Sequence, residues 1–489
     1  MTAVPSRRPG RLLTVSNRGP VNFERDEEGN IVTVPGQGGL ATALRVAAQL
    51  HPTKWLSSPL SPLDREVARG EVEVEEYGNC HFVITDPDAY DLFYGIFSNE
   101  ILWFLQHRLP WPEEFTIARM AEAFHNGYLP VNRAFAEATV EELDTGNIRA
   151  VMFHDYHFYL APKMVREMRP DVYLQHFIHI PWPGPSEWAR LEGATVRAIC
   201  EGLLANDSLV FQTPADVQNF LDTVELSLGM AVDKANGAVT VEGHTTRVWA
   251  NGISVDPAEL DEAAHTPDFA RYRYLLRAAP GQKTIMRVDR LDPTKNVVRG
   301  FEAYEGLLEK HPELKEKVVF LALLVPTKGD IAVYQRYQDE AHELVARINK
   351  RFGNLHWKPV RLMFEHNRLQ ALAAMSLYDV MLVNSVADGM NLVAKEGPVL
   401  NNHAGVLVLS KTAGAYADLG CGAIGIDPED VEGTTEALYQ ALTMPIEERR
   451  DRAARLNQAV RRHDLKAWFR DLLRDIENHT PVQADTSAA

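Results

Sequence analysis

Apolar positions along this chain follow two alternating rhythms. Short runs rich in Val, Ile, Leu and Phe, bounded by Gly, Pro, Asn or Asp, read as buried strands at 11–17, 149–153, 173–180, 209–212, 284–288, 318–325, 361–364, 380–384, 406–410 and 423–426. Stretches with apolar residues three and four apart read as helices at 90–108, 196–206, 214–226, 369–378, 391–401, 429–443, 446–463 and 465–478; two more run to about Leu308 and to Phe352. Strand followed by helix, repeated, is the grammar of a parallel sheet covered on both faces.

Some stretches break the rhythm. Residues 18–37 are polar and hairpin-like, with Gly29-Asn30 at the tip, and 71–85 alternate like a hairpin arm. Residues 256–267 are polar, and the strand–helix pattern restarts after them. At 489 residues the chain exceeds what one core ordinarily organises. The expected architecture is therefore α/β, with two Rossmann-like, doubly wound parallel-sheet domains at 1–255 and 256–464. A last segment, 465–489, starts as a helix and ends in a polar tail expected to be disordered. Along 90–108, Tyr94, Phe97, Ile101, Phe104 and Leu105 form an expected core stripe, although Tyr94 and Trp103 also suit a cleft.

Composition narrows the function classes. Fifty Lys+Arg against 67 Asp+Glu give a net charge of −17, which argues against nucleic-acid or anionic-membrane partners. It leaves room for an anionic small molecule gripped by a local cluster of cations. Cys80, Cys200 and Cys421 are far apart and form no C-x-x-C pair, so a reducing compartment is expected rather than a disulfide framework or zinc site. No apolar run reaches the ~18 residues of a spanning helix. Arg7, Arg8 and Arg11 are not followed by the apolar stretch of a leader, and a cytoplasmic location is expected.

Candidate chemistry collects where strands hand over to helices, the edge at which doubly wound sheets bind ligands. After the strand at 380–384, Asp388 lies in a Gly-containing turn. The amides of Gly389, Met390 and Asn391 lie at a helix start, and Glu396 follows Asp388 by eight positions (396 − 388), about two helical turns down one face. This suits sugar or ribose hydroxyls; it equally suits a helix with an acidic cap and a surface Glu. Arg290 and Lys295 are five apart across a strand-to-helix turn, which suits a diphosphate. An ordinary solvated Asp292–Lys295 pair fits the same residues. Gly38 and Gly39 open another strand–loop–helix, without G-x-G-x-x-G spacing.

Asp155 and His179 stand at the carboxyl ends of two first-half strands, where His179 also reads as a structural histidine. His154 and His157 have no third ligand near in sequence, and Asp86-Pro87-Asp88 reads as a helix cap, so no metal site is expected. There is no nucleophile elbow and no Walker-type phosphate loop. Cations for phosphate and carboxylates for hydroxyls together point to a nucleotide sugar.

Seven motifs carry a resemblance: SNR (Ser16–Arg18), GGLA (Gly38–Ala41), FSNEILW (Phe97–Trp103), HDYH (His154–His157), HIPWP (His179–Pro183), RLDPTKN (Arg290–Asn296) and DGMNLVAKE (Asp388–Glu396). In order and over residues 11 to about 465, they resemble the trehalose-6-phosphate synthase family. The resemblance implies the glycosyltransferase B-type fold, with an active site in the interdomain cleft and the last helix crossing back to the N-terminal domain. It implies an acceptor-binding first domain, a nucleotide-sugar-binding second domain, and retaining transfer of glucose from a nucleoside-diphosphate glucose to glucose 6-phosphate, without metal or cofactor. By matching position, Arg290, Lys295 and the Gly38-Gly39 loop would hold the donor diphosphate. Glu396 would hold the ribose, and Asp388 and His179 the donor glucose, with Gly389, Met390, Asn391 and Leu392 lining the donor. Arg18, Tyr94, Trp103 and Lys328 would bind the acceptor, and Asp155 its hydroxyls.

Departures from that family qualify the donor. Lys328 stands where members often carry Arg, Ala387 where many carry Arg, and Gly397-Pro398 where many carry an aromatic. Residues 361–368 also depart from the usual uridine-type pattern. The base is left open among UDP, GDP and ADP, with a donor other than UDP-glucose expected. A sibling transferase, making glucosylglycerol phosphate or joining cyclitols, is the alternative; a silent sugar-phosphate sensor is disfavoured by the presence of Arg290, Lys295 and Glu396. A homo-oligomer is compatible with all of this.

Overall fold

In a computed structural model, described for residues 11–36, 51–72, 80–145, 147–327, 332–364 and 367–479, the short apolar runs do form strands. The chain divides into two compact units. One holds Met1–Gln106, Pro110–Asn251 and Lys466–Ala489; the other holds His107–Leu109 and Gly252–Leu465.

In the first unit β1 (Arg11–Val15) leads into an antiparallel ribbon, β2 (Val21–Arg25) and β3 (Ile31–Pro35). There follow β4 (Thr53–Ser57), β5 (Cys80–Phe82), β6 (Ile148–His154), β7 (Tyr173–Phe177), β8 (Ser208–Phe211), β9 (Val232–Asp233), β10 (Ala238–Val241) and β11 (His244–Ala250). The sheet order is β5-β4-β1-β6-β7-β8-β11-β10-β9, parallel as far as β11 and antiparallel beyond it. Strands are added on one side of β1 and then on the other, so the order reverses between β1 and β6. In doubly wound sheets such a reversal is where ligands bind, at the carboxyl ends of the two strands.

The second unit repeats the plan with β12 (Lys283–Arg290), β13 (Val318–Val325), β14 (Val360–Met363), β15 (Val380–Val383), β16 (Val406–Ser410) and β17 (Ile424–Ile426). Their order, β14-β13-β12-β15-β16-β17, is parallel throughout and reverses between β12 and β15. Helices cover both faces, which is why β13 is buried from Val318 to Leu324 and reads as an unbroken apolar run. Phe301, Tyr304 and Leu307 on the helix Val297–Lys310 pack on Phe320, with Leu344, Ile348 and Leu438 closing the same core. Each such side chain, fully buried, stabilises by roughly 1.5–3 kcal/mol.

The C-terminal helix Leu465–His479 belongs, from Lys466 on, with the first unit. Its apolar face, Trp468, Phe469, Leu472 and Ile476, is buried. Asp475, on the same side, accepts hydrogen bonds from Gln175 Nε2 at 2.9 Å and Tyr173 Oη at 3.1 Å and pairs with Arg247. The tail beyond it lies outside the described residues, as does the helix expected after Gly39.

Four elements differ from the pattern reading. Residues 256–267, read as a polar stretch at the domain boundary, begin two helices: Pro257–Ala264 and Pro267–Leu276, capped by Asp256 and Thr266, with Pro in each first turn. They read as polar because Leu260, Phe269 and Leu276 are among the few residues they bury. Cys80–Phe82 is a parallel edge strand rather than a hairpin arm, and 73–79 lie outside the described residues. Thr53–Ser57 was hidden because only Trp55 and Leu56 form its apolar run. Finally, Leu92–Leu102 is π-helical. The wider turn buries Phe93, Phe97 and Ile101 and leaves Tyr94 half-buried, off the core stripe. Gly127 admits this packing, since a Cβ there would come 2.6 Å from the Phe93 amide nitrogen.

Candidate active site

In the second unit the turn after β12 and the turn after β15 are tied to each other at the reversal point. Asp292 accepts the Thr294 amide at 3.0 Å, shaping a short 3-10 turn, Pro293–Lys295. Asn296, at φ 57°, redirects the chain into the helix Val297–Lys310. Asn296 and Asn384 exchange side-chain-to-carbonyl hydrogen bonds of 3.0 and 3.1 Å, and the Val386 amide donates to the Thr294 carbonyl at 2.9 Å. Asp388 then meets Lys295 Nζ directly and accepts Asn391 Nδ2 at 3.0 Å and Ser385 Oγ at 3.3 Å. Burial works to raise the Asp388 carboxyl, but Lys295 and the Asn391 amide outweigh it and hold it below the ordinary carboxylate range.

This geometry overturns two bland alternatives. Asp292 is fully buried and Lys295 pairs with Asp388, so no solvated Asp292–Lys295 pair forms. Asn391, at φ 73°, caps the helix Leu392–Leu400 by accepting the Ala394 amide at 3.0 Å; Asp388 is not the cap. Asp388 therefore precedes the helix, and its separation from Glu396 is not two helical turns. The backbone of Gly389 is braced from the next turn: a Cβ on Gly414 would come 1.8 Å from the Gly389 carbonyl oxygen, so only glycine fits. Met390 is buried with its carbonyl accepting the Ala415 amide at 2.7 Å, and Leu392 is half-buried.

Arg290 ends β12 with its side chain 45% exposed and 3.9 Å from Asp292. Glu396 lies in the second turn of its helix, 3.7 Å from Arg368. Burial pushes its carboxyl up to about 7, against the pull of Arg368. Gly397 follows because the helix lies hard on β15: a Cβ there would come 2.4 Å from Met381 Sδ.

In the first unit the reversal point lies between β1 and β6. Beyond β1, Trp55 Nε1 donates to Ser16 Oγ at 2.7 Å, and Asn17 accepts Ser58 Oγ at 2.9 Å and Tyr90 Oη at 3.1 Å. From that braced turn the exposed Arg18 reaches Tyr94 Oη at 3.3 Å. Tyr94 stacks between Tyr90 and His157, centroids 5.7 and 6.1 Å away. Trp103 is buried, its ring 5.8 Å from Tyr156.

Beyond β6, Asp155 adopts φ 71°, ψ −179°, a region essentially reserved for glycine that costs about 1–3 kcal/mol. Its amide donates to the Phe177 carbonyl at 2.8 Å, and its carboxylate accepts the His179 amide at 3.2 Å. Burial pushes this carboxyl up to about 7 against amide hydrogen bonds from Tyr156, His179 and Ile180. His179 Nε2 lies 3.1 Å from His154 Nδ1, and His176 Nε2 lies 3.0 Å from the Asp155 carbonyl. Burial holds all three rings neutral, His179 down to about 3 and His176 to about 4.

Gly38, Gly39 and Lys328 lie outside the described residues. Among the described residues no group of three or more His, Cys, Asp or Glu could hold a metal ion, and no helix is long and apolar enough to cross a membrane. Asp86 of the D-x-D sequence caps its helix by accepting the Ala89 amide at 2.9 Å. Pattern reading missed Arg287, Asn384 and Tyr90. The available signal for Arg287 was a charge two residues before Asp289 on one face of an apolar strand.

The sequence pattern described as glycosyltransferase family 20 matches residues 10–478. The chain belongs to glycosyltransferase family 20. It is 32% identical to an alpha,alpha-trehalose-phosphate synthase (UDP-forming) of Pichia angusta, over 96% of this chain and 99% of that protein. It is also 32% identical to a probable enzyme of the same name from Arabidopsis thaliana, covering 96% of this chain but spanning only 57% of that protein's length. Among solved structures, the E. coli protein bound with UDP-2-fluoro glucose superposes with a TM-score of 0.81 at 28% identity, over 96% of this chain and 100% of the other. A Burkholderia xenovorans synthase in complex with glucose-6-phosphate superposes with a TM-score of 0.79 at 30% identity, over the same shares. The fold of this family 20 chain is accordingly the two-Rossmann, B-type glycosyltransferase fold, and the chain is a glycosyltransferase.

Proposed function

We propose that this family 20 enzyme is a trehalose-6-phosphate synthase, transferring glucose with retention from a nucleoside-diphosphate glucose to glucose 6-phosphate. The observation that carries the reading is the Lys295–Asp388 contact, which joins a cationic turn to a hydroxyl-binding turn at a sheet reversal point. Arg290, Lys295 and the Gly38-Gly39 amides meet the donor diphosphate, Glu396 the ribose, and Asp388 and His179 the glucose. The backbone of Gly389, Met390, Asn391 and Leu392 lines that sugar. Arg18, Tyr94, Trp103 and Lys328 take the acceptor and its phosphate, and Asp155 its hydroxyls.

In the reaction the bond between the anomeric carbon and the diphosphate oxygen breaks. The acceptor's anomeric oxygen bonds to that carbon on the same face, and its proton passes to the departing diphosphate. No side chain attacks; the protein aligns the substrates and stabilises the leaving charge with Arg290 and Lys295. Those two cations supply the countercharge in place of a metal, so EDTA leaves the rate unchanged; a rate lost to EDTA and restored by Mg²⁺ would overturn that part.

The test is incubation with glucose 6-phosphate and UDP-, GDP- or ADP-glucose in turn, with the product read by mass. A disaccharide phosphate with at least one donor is expected, and none with any donor would refute the reading.

A further inference from the structure

Beneath the two turns of the second unit lies an arginine that no motif contains. Arg287, on β12, is fully buried. Its Nε donates to Asp289 Oδ2 at 2.8 Å, and its Nη2 donates to Asn384 Oδ1 at 2.6 Å and to the Lys295 carbonyl oxygen. One guanidinium therefore holds both the turn that carries Lys295 and the residue that opens the turn carrying Asp388. The helix makes room for it: a Cβ on Gly300 would come 2.3 Å from Arg287 Nη1 and 3.3 Å from Asn384 Oδ1. A glycine inside a helix is unfavourable on its own account, and here the arginine explains it.

Arg287 also settles a charge balance. Burial and Asp388 lift the Asp289 carboxyl above its ordinary range, and Arg287, ahead of Lys295, is the largest pull in the other direction. Lys295 is already engaged by Asp388. Without Arg287 the Asp289 carboxyl loses its largest countercharge and its Nε hydrogen bond, and Lys295 is left to serve both Asp289 and Asp388 beneath the diphosphate turn.

We infer that Arg287 is a positioning residue for the donor diphosphate, fixing the Lys295 turn and pairing with Asp289 beneath it. The inference rests on the reading of the Arg290–Lys295 turn as the donor site. A fully buried arginine could instead serve the fold alone, and then its loss would lower stability without favouring one substrate.

The test is calorimetric titration of UDP, GDP and ADP into the unchanged protein, followed by the tightest of the three into Arg287→Met, Arg287→Lys, Gly300→Ala and the pair Arg287→Met with Asp289→Asn. KM is read for donor and acceptor, and thermal midpoints are read throughout. Arg287→Met weakens the nucleoside diphosphate by about 10-fold or more, as expected for an uncompensated buried charge, while KM for glucose 6-phosphate stays put. Arg287→Lys keeps the charge but loses the fork, and falls between. The pair recovers part of the loss because the charge is again balanced. Gly300→Ala, which displaces the guanidinium and changes no charge, weakens the same ligand less.

Should Arg287→Met fail to fold, Arg287→Lys and Gly300→Ala carry the test. Wild-type affinity in those two, or equal loss for both substrates in step with a fallen thermal midpoint, overturns the inference. Failure of the unchanged protein to bind any of the three removes the donor-site reading and this inference with it.

Discussion

At the reversal point between β12 and β15, Arg287, Asp289, Lys295 and Asp388 form a buried patch of opposed charges. At the reversal point between β1 and β6, the side chains behind Asp155 are His154, His176 and His179, all held neutral by burial. The backbone plan is the same: a parallel strand, a turn with a residue at positive φ, and polar groups at the carboxyl edge. The electrostatics differ, and they sort the ligands each turn can take. Opposed charges can be rearranged around an incoming diphosphate, whose two ends of interaction are strong and charge-assisted. Neutral rings and one carboxylate suit hydroxyl groups, which exchange hydrogen bonds without a change in net charge. On the proposed assignment, a common scaffold serves two chemistries through side chains alone.

The contrast breaks first at its charged side. Arg290→Ala removes a cation proposed to meet the leaving diphosphate and is expected to lower kcat by at least ~10²; steady-state turnover near the wild-type value would deny Arg290 that role. Arg18 tests the exposed cation that follows β1. Arg18→Ala is expected to raise KM for glucose 6-phosphate by about 10- to 100-fold with little change in kcat, as for a hydrogen bond to a charged group worth roughly 1.5–3 kcal/mol. An unchanged acceptor KM would place Arg18 outside the phosphate site.

The charged turns were also the more legible of the two. Arg290, Lys295 and Asp388 announce themselves as polar residues closing apolar strands, and the structure brings Lys295 and Asp388 into contact. Arg287 did not announce itself, because a charge inside a strand reads as an edge or an error until its partners across the turn are known. Nor could sequence show that Asn391 caps the helix, since Asp388 offers the same chemistry three residues earlier. In the first unit, the choice between core stripe and cleft stayed open for Tyr94 for a geometric reason. A 3.6-residue period puts it on the buried stripe, and a π-helix does not. The strain at Asp155 was invisible, since the positive φ is imposed by the Phe177 carbonyl and the His179 amide, which are distant in sequence. Strands and helices were readable because burial on both faces writes itself into composition; 256–267 was not, because its helices bury so little.

The neutral side sharpens the comparison with a smaller effect. His179→Ala is expected to reduce kcat/KM by about 3- to 10-fold, the worth of a hydrogen bond between neutral partners at roughly 0.5–1.5 kcal/mol. Because burial keeps His179 down to about 3, that factor should stay constant from pH 5 to pH 9. A ratio that changes with pH across that span would mean the ring is ionising in the working enzyme, and the two reversal points would no longer differ as described.

The smallest effect concerns stability. Glu396 has an ordinary value of 4.5 and a folded value of about 7, because burial disfavours its carboxylate more than Arg368 favours it, with Glu259 adding repulsion. The folded chain therefore holds this proton more tightly than the unfolded chain does. Its contribution to stability is complete below about 4.5 and is lost as pH rises through about 7. Glu396→Gln cannot lose a proton, so its thermal midpoint should fall less than that of the wild type between pH 4.5 and pH 8. The difference between the two curves isolates this group from Asp155, which shifts in the same direction in both proteins. Parallel curves would show that Arg368 holds Glu396 ionised across the range, making the proposed ribose end of the donor site another pair of opposed charges like Lys295 with Asp388.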